Sequence, residues 1–348
     1  MSLRCTSLPG EAIFKAYRTG LLRPSNSAGG ELHASFSKCV QQTLMARVPL
    51  PERLRLHKIF QCCRTGVAAV REERYEDARQ TFEEGRELLG TGMSVEATLV
   101  GKSFLYSMSA YLAYALGDVE EARKNIYTTL DTDVTLEEQP GYDVFQMHRL
   151  QALLNLIRVE LQARRCKEAF VLSGEVVAFL EGYNASIGVH RSWRPESFLG
   201  LPRRFPRIML VEIVEEVSRS FTGTERSEHW EVFTRAAHLE EYSMAPQPLH
   251  RRVRDWLLLK DAYLGGRDLE FLERLLTFLP QGMEDIRGIW YASMVDLLDF
   301  CLKGSDKMGR YTAQAILRDS IKWPRVPKAL KKRLEPMRER VTSATSAA

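Results

Sequence analysis

Histidine, cysteine and serine are the side chains of this chain that could carry catalysis or hold a metal, but their spacing favours neither. The seven histidines never occur four residues apart, the spacing that would place two of them on one helix face. The six cysteines form no CxxC pair, and adjacent Cys62 and Cys63 would point about 100° apart on a helix. The GKS tripeptide at 101–103 resembles the end of a phosphate-binding loop, but Glu96 stands where that loop needs glycine. Local motifs therefore predict no catalytic residue, no metal site and no cofactor.

Basic side chains are a second source of chemistry, and they are concentrated near the C-terminus. Residues 307–348 contain eleven Lys or Arg and three acids, whereas the net charge of the whole chain is only +4. A polar helix that caps the end of the fold is the simpler explanation of this charge. The alternative is a contact with nucleic acid, anionic lipid or an acidic partner, for which the candidate residues are Arg203, Arg204, Arg207, Lys331, Lys332 and Arg333.

The stretch 99–130 has the pattern of two helices joined by a tight turn. Apolar residues from Phe104 to Ala115 recur at three- and four-residue spacing, which predicts a helix with one broad apolar face. Gly117 then suits the end of this helix and Asp118 the cap of a second helix. Similar pairs are predicted around 55–90 and 149–182, and alternating strand patterns are nearly absent. We therefore expect an all-α fold.

Small residues mark equivalent points in these helix pairs. Ala78, Ala122 and Ala169 each open a second helix, and Gly66 and Ala110 lie twelve residues before the first two. This pattern resembles the tetratricopeptide repeat, over roughly residues 55–182. The spacings between the alanines, 44 and 47 residues, exceed the usual period of about 34. The resemblance implies a TPR-like solenoid of helical hairpins with irregular repeats, arranged as one array or as two helical halves.

The resemblance also implies which side chains face a partner, because first helices line the concave surface of such arrays. Aromatic side chains supply contact area, while Arg and Asn recognise carboxylates and backbone groups. Core packing is the simpler explanation for any single aromatic residue among them. The Lys/Asn clamp with which some family members grip acidic chaperone tails is not reproduced. The predicted partner-binding residues are Arg71, Phe104, Ser107, Tyr111, Tyr114, Asn155 and Arg158.

Composition divides the chain into five segments. Turn-rich residues end the first segment, and a stretch rich in proline, glycine and aromatic residues forms the third. The predicted order is a flexible N-terminal arm at 1–30, TPR-like helical repeats at 31–182, a connecting loop at 183–206, a C-terminal helical region at 207–323, and a basic C-terminal helix and tail at 324–348.

We therefore expect a non-enzymatic helical-repeat protein that binds a protein or peptide through its concave face, as an adaptor, assembly factor or regulatory subunit. An RNA-binding helical-repeat protein is the second hypothesis, and an all-α enzyme with a site assembled from distant residues is the third. No run is apolar enough for a membrane span. Cysteines without a disulfide pattern favour a cytoplasmic location, and the acid-poor N-terminus leaves organelle import open. The oligomeric state stays open.

Overall fold

The computed structural model describes residues 10–22, 38, 40, 42–44, 46–90, 92–183, 186–189, 193–194, 204–222, 227–244, 246–304 and 307–346. The fold is 81% helical, and no strand occurs among the residues so described. The prediction of an all-α protein is therefore confirmed. A TPR-like solenoid stays a prediction. In this part of the chain, no helix is long and apolar enough to cross a membrane.

The chain folds as two compact units. One is continuous and comprises Gly29–Met209; we call it the 29–209 unit. The other combines Met1–Ala28 with Leu210–Ala348, and we call it the discontinuous unit.

The helices in chain order are α1 (Gly10–Leu21), α2 (Leu50–Arg71), α3 (Tyr75–Leu88), α4 (Val95–Leu116), α5 (Val119–Glu137), α6 (Phe145–Gln162), α7 (Cys166–Leu180), α8 (Arg204–Ser220), α9 (Ser227–Ala236), α10 (Leu239–Met244), α11 (Arg251–Leu264), α12 (Asp268–Phe278), α13 (Arg287–Lys303), α14 (Lys307–Asp319) and α15 (Lys328–Ser346). Short 3-10 turns occupy Leu279–Gln281 and Ser320–Lys322. Helical residues also occur between 38 and 47.

Four helical hairpins share one turn geometry. Between α4 and α5, Gly117 adopts the left-handed conformation (φ 79°), and Asp118 donates its N–H to Ala113 O at 2.9 Å. This 6→1 bond satisfies a carbonyl that the end of a helix would leave unpaired. The same 2.9 Å bond and positive φ recur after the first helix of three other pairs, at Glu73, Arg164 and Gly266. The tight turn predicted at Gly117-Asp118 is therefore present, and non-glycine residues hold its left-handed position in two other hairpins.

Small residues hold the hairpins of the 29–209 unit together. Ala78, Ala122 and Ala169 are all fully buried. In the first hairpin, a Cβ added to Gly66 would lie 2.7 Å from the ring of Phe82, so the missing side chain lets α2 and α3 approach. The close approach that the sequence pattern predicted is present at Gly66, and the three alanines lie in the core.

Helix α1 differs from the flexible arm expected over residues 1–30. It buries Ile13, Ala16, Tyr17 and Gly20 on one face, within the discontinuous unit. The Tyr17 hydroxyl donates to Asp319 Oδ2 at 3.3 Å and accepts a bond from the indole N–H of a tryptophan, Trp323, at 3.0 Å. Apolar spacing at 13–20 was the local signal for this helix, but its packing partners lie some 300 residues away in the sequence.

Candidate partner-binding face

The first helices of the three hairpins in the 29–209 unit present side chains at one shared spacing. On each helix, residues at i, i+4, i+7 and i+11 form a stripe, and no member of any stripe is fully buried. We call these stripes together the three-helix face. Its members are Phe60, Arg64, Val67 and Arg71 on α2; Phe104, Met108, Tyr111 and Ala115 on α4; and Gln151, Asn155, Arg158 and Gln162 on α6.

Direct contacts join the three helices near both ends of the stripes. The rings of Phe60 and Phe104 meet edge to face with centroids 4.8 Å apart. On its other side, Phe104 stacks on the imidazole of His148 at 5.2 Å. At the far end, the Gln162 amide donates to the carbonyl oxygen of Tyr114 at 3.2 Å. The three stripes therefore lie side by side rather than on separate surfaces.

Most residues predicted from the sequence to bind a partner lie on this face. Phe104, Asn155 and Arg158 are half-buried, and Arg158 donates to Asn155 Oδ1 at 3.1 Å. Tyr111 is 37% exposed and Arg71 is exposed.

Two of the predicted residues lie off the stripes. Tyr114 is half-buried beside the α4 stripe. Ser107 is buried, with 8% of its surface exposed, so its side chain is not available to a partner in the free protein. The reason is helical geometry, because one position along α4 turns a side chain by about 100°.

Charge separates the first helices from the second helices. Helix α2 carries five Lys or Arg and one acid, whereas α3 and α5 each carry five acids and two basic residues. No stripe member is acidic, and Arg64, Arg71 and Arg158 supply positive charge. The acid of α6, Glu160, is buried and forms an ion pair with Arg123 at 3.0 Å. The three-helix face is thus apolar in its centre and basic around it.

A buried polar network lies beneath Phe104. Ser103 donates to Asp133 Oδ1 at 2.5 Å, and His148 Nδ1 lies 2.8 Å from Asp133 Oδ2 and 3.1 Å from Ser103 Oγ. These are the residue types of a hydrolytic triad, but a triad uses one imidazole nitrogen for serine and the other for the acid. Here a single nitrogen faces both, and at most 3% of any of the three residues is exposed. The network therefore connects α4, α5 and α6 and holds the imidazole under Phe104.

A second buried pair lies at the end of α5. Arg149 donates to Glu137 Oε2 at 2.9 Å, and the Arg149 guanidinium stacks on Trp193 at 3.9 Å from the ring centroid. Burial raises the pKa of Glu137 to about 7, although the positive charge of Arg149 acts in the opposite direction. The Arg149 guanidinium therefore connects Trp193 to α6.

A cleft of about 640 Å³ is lined by residues of α2 and α3. Its lining includes Lys58, Cys62, Thr81 and Glu84. Burial and the negative charge of Glu84 raise the pKa of the Cys62 thiol, which disfavours the reactive thiolate. Among the residues that the structure describes, no group of His, Cys, Asp and Glu could hold a metal ion.

The six basic residues predicted as contacts are divided between the two units of the chain. Arg203 lies outside the described residues, and Arg204 and Arg207 are exposed on α8 in the 29–209 unit. Lys331, Lys332 and Arg333 are exposed on α15, in the discontinuous unit.

Comparison with protein-family models, with curated proteins and with solved structures found no match for this chain. The features available for inferring function are therefore the three-helix face and the network beneath it. Sequence reasoning anticipated most of the face but missed the network. The signal in the sequence that could have indicated the network is the presence of single polar residues, such as Ser103 and Asp133, among apolar helix positions that are buried.

Proposed function

We propose that the protein binds a peptide segment of a partner protein on the three-helix face, and that the segment carries both apolar and acidic side chains. The contacts among Phe60, Phe104 and His148 are the observation that carries this proposal. They fix an aromatic surface that stays partly accessible, as in the anchor sites of peptide-binding surfaces.

The apolar part of the peptide would lie along the centre of the face. Phe60, Val67, Phe104 and Met108 pack against the core from one side and are only partly covered on the other. Binding would remove the remaining apolar surface from water, at about 25 cal/mol per Å². Since the network beneath Phe104 holds its stacking partner in place, little side-chain entropy would be lost on binding.

The acidic part of the peptide would meet the surrounding cations. Arg64 and Arg71 lie on α2, and Arg158 lies on α6 with Asn155 beside it. Guanidinium groups bind carboxylates through paired, charge-assisted hydrogen bonds. A peptide rich in Lys or Arg would be repelled, so charge supplies selectivity as well as affinity.

Peptide selection tests this proposal. Twelve-residue peptides displayed on phage are selected on the purified full-length chain, and the affinity of a chosen peptide is measured by fluorescence anisotropy. We expect selected sequences to combine acids with Leu, Ile, Phe or Trp. The double variant Tyr111→Ala/Arg158→Ala should weaken binding by about 2 kcal/mol or more, a roughly 30-fold rise in Kd.

A matched control uses α5, the second helix of the same hairpin as α4. Tyr127→Ala/Lys124→Ala removes one tyrosine and one cation outside the stripes and should leave Kd within two-fold. Both double variants should keep the melting temperature of the wild type, since Tyr111 is 37% exposed and Arg158 half-buried. Selection of basic peptides, or equal affinity of both variants, would contradict the proposal. Lost stability in Tyr111→Ala/Arg158→Ala would instead assign these residues to the core.

A further inference from the structure

Residues 318–333, which we call the basic segment, concentrate positive charge in the discontinuous unit. The segment runs from the last turn of α14 through the 3-10 turn Ser320–Lys322 into the start of α15. It contains a single acid, Asp319, which already binds Tyr17 and Arg18. Its seven basic residues are all exposed, and they are Arg318, Lys322, Arg325, Lys328, Lys331, Lys332 and Arg333.

None of these cations forms an ion pair in the described part of the chain. Some exposed cations elsewhere do pair with an acid three or four residues away on the same helix. Examples are Arg86 with Glu83 at 2.7 Å and Lys124 with Glu121 at 3.2 Å. The same arrangement is seen for Lys303, which lies 2.6 Å from an acid of its own helix. The basic segment therefore carries seven exposed cations that no described acid pairs with.

The basic segment also contains an exposed isoleucine. Ile321 is 72% exposed, and in the sequence it lies between Arg318 on one side and Lys322 and Arg325 on the other. Single exposed apolar residues are common and need no explanation by themselves. Here the residue occupies a 3-10 turn beside two buried residues, Ser320 and Trp323, which distinguishes it from a loop tip.

Two hydrogen bonds and a buried valine hold that turn. Ser320 is buried, and its hydroxyl accepts a hydrogen bond from Arg338 of α15 at 2.7 Å. Trp323 is 6% exposed and donates to the Tyr17 hydroxyl of α1 at 3.0 Å. Val326 is buried three residues further on. Because its flanking residues are anchored, Ile321 is held outward in a defined position.

We infer that the basic segment docks the protein on an anionic lipid membrane, with Ile321 entering the headgroup region and the surrounding cations binding lipid phosphates and carboxylates. This combination of an apolar side chain and clustered Lys and Arg is what peripheral attachment to such a surface requires. Neither part suffices alone: the cations give long-range attraction, and the isoleucine adds apolar burial in the interface.

A nucleic acid could also attract the cations, but it would not use Ile321. Single-stranded nucleic acids bind proteins through stacking on aromatic side chains, and duplexes through phosphate contacts and groove readout. The aromatic residue of the basic segment, Trp323, is buried and bonded to Tyr17. The exposed apolar residue is aliphatic, which favours lipid as the partner.

Vesicle flotation with the full-length chain tests this inference. The probes are phosphatidylcholine vesicles with and without 30% phosphatidylserine, at two salt concentrations. We expect binding only to the anionic vesicles, weakening as salt rises. Each cation near such a surface contributes about five-fold to affinity, so Lys328→Gln/Lys331→Gln/Lys332→Gln should reduce binding about 100-fold. Ile321→Ser should reduce it about ten-fold, and Ile321→Leu should keep it within two-fold.

Matched controls remove the same groups elsewhere. Lys124→Gln/Lys167→Gln/Arg251→Gln takes away three exposed cations, and Leu269→Ser takes away an apolar residue that is 70% exposed on α12. Both should bind anionic vesicles like the wild type. Equal effects of control and test triples would overturn the inference, and so would wild-type binding by Ile321→Ser. Failure to bind vesicles, with a single-stranded 20-nucleotide RNA bound through the same three lysines, would assign the segment to nucleic acid instead.

Discussion

The imidazole of His148 lies 5.2 Å from the ring of Phe104, nearly parallel to it, and its Nδ1 atom lies 2.8 Å from the Asp133 carboxylate. One residue therefore belongs both to the buried network and to the support of the exposed face. The network fixes the plane of the imidazole, and the imidazole fixes one side of Phe104. A substitution of Asp133 should thus lower the stability of the fold, and through His148 it should also disturb Phe104 on the three-helix face.

Asp133→Ala tests the first part of this relationship. The substitution leaves the Ser103 hydroxyl and the His148 imidazole without their shared acceptor in a buried site. An unsatisfied buried polar group costs about 1–3 kcal/mol. We expect the free energy of unfolding in urea to fall by at least that amount, with an unchanged far-ultraviolet circular dichroism spectrum.

Asp131→Ala is the matched control, because Asp131 lies on the same helix and is exposed. Its effect should stay within about 0.5 kcal/mol, as for most surface substitutions. A similar loss in both variants would mean that the network contributes nothing beyond the helix itself.

Ala122→Leu probes the close packing in the second hairpin. Ala122 is fully buried near the start of α5, so a larger side chain has no room. Overpacking of this kind costs about 1–3 kcal/mol. Thermal unfolding should show a lower melting temperature than for the wild type. Ala115→Leu, on the exposed stripe of α4, adds the same atoms and should change the melting temperature little. An unchanged melting temperature in Ala122→Leu would mean that the helices do not cross closely at Ala122.

Local signals in the sequence were sufficient for the hairpins. Gly117 and Asp118 predict a helix end and a helix cap, and Asp118 does accept the hydrogen bond from Glu121 N at 3.1 Å. Residue spacing also grouped Phe104, Met108 and Tyr111, which lie together on the stripe of α4. Ser107 was misplaced because sequence periodicity leaves the helix register uncertain by one position, and one position separates the face from the core.

Contacts between distant residues could not be predicted in the same way. His148 is 15 residues from Asp133 and 45 from Ser103, and each comes from a different helix. No fixed spacing relates such residues, because the lengths of the intervening helices and turns decide whether they meet. The packing of α1 shows this limit more strongly, since Tyr17 binds Asp319 across 302 residues.

Glu137 should make stability depend on pH. Its pKa is raised by burial from 4.5 to about 7, so the folded state holds the proton more tightly than the unfolded state. The resulting stabilisation is fully present below pH 4.5 and is lost as pH rises through 7. We expect the free energy of unfolding to fall by up to about 3 kcal/mol from this group between pH 5 and pH 7.5.

Glu137→Gln should flatten this pH dependence, whatever its effect on absolute stability, because the amide does not titrate. Glu138→Gln, at an exposed neighbouring position, should keep the wild-type slope. The measurement is a series of urea unfolding curves at half-unit pH steps. If stability instead rises between pH 5 and pH 7.5 through Glu137, attraction to Arg149 outweighs burial.

Gly20→Ala tests whether α1 is an integral part of the discontinuous unit. A Cβ at this position would lie 2.1 Å from the backbone oxygen of Leu279, a contact that flexible side chains cannot relieve. Helix α1 would have to shift, which would disturb the Tyr17 contacts with Trp323 and Trp290. We expect a loss of about 3 kcal/mol in the free energy of unfolding, at the upper end for overpacking, and faster cleavage of residues 10–22 by trypsin.

Lys15→Ala provides the control on the exposed side of the same helix. It removes one tryptic site but no buried contact, so stability and cleavage at Arg18 should match the wild type. Tryptic cleavage reports detachment of α1, whereas the free energy of unfolding reports the stability of the whole unit. Faster cleavage with unchanged unfolding would mean that α1 detaches without weakening the rest of the unit. Unchanged cleavage and stability in Gly20→Ala would show that α1 does not pack against Leu279, and the N-terminal residues would then be the flexible arm that the sequence suggested.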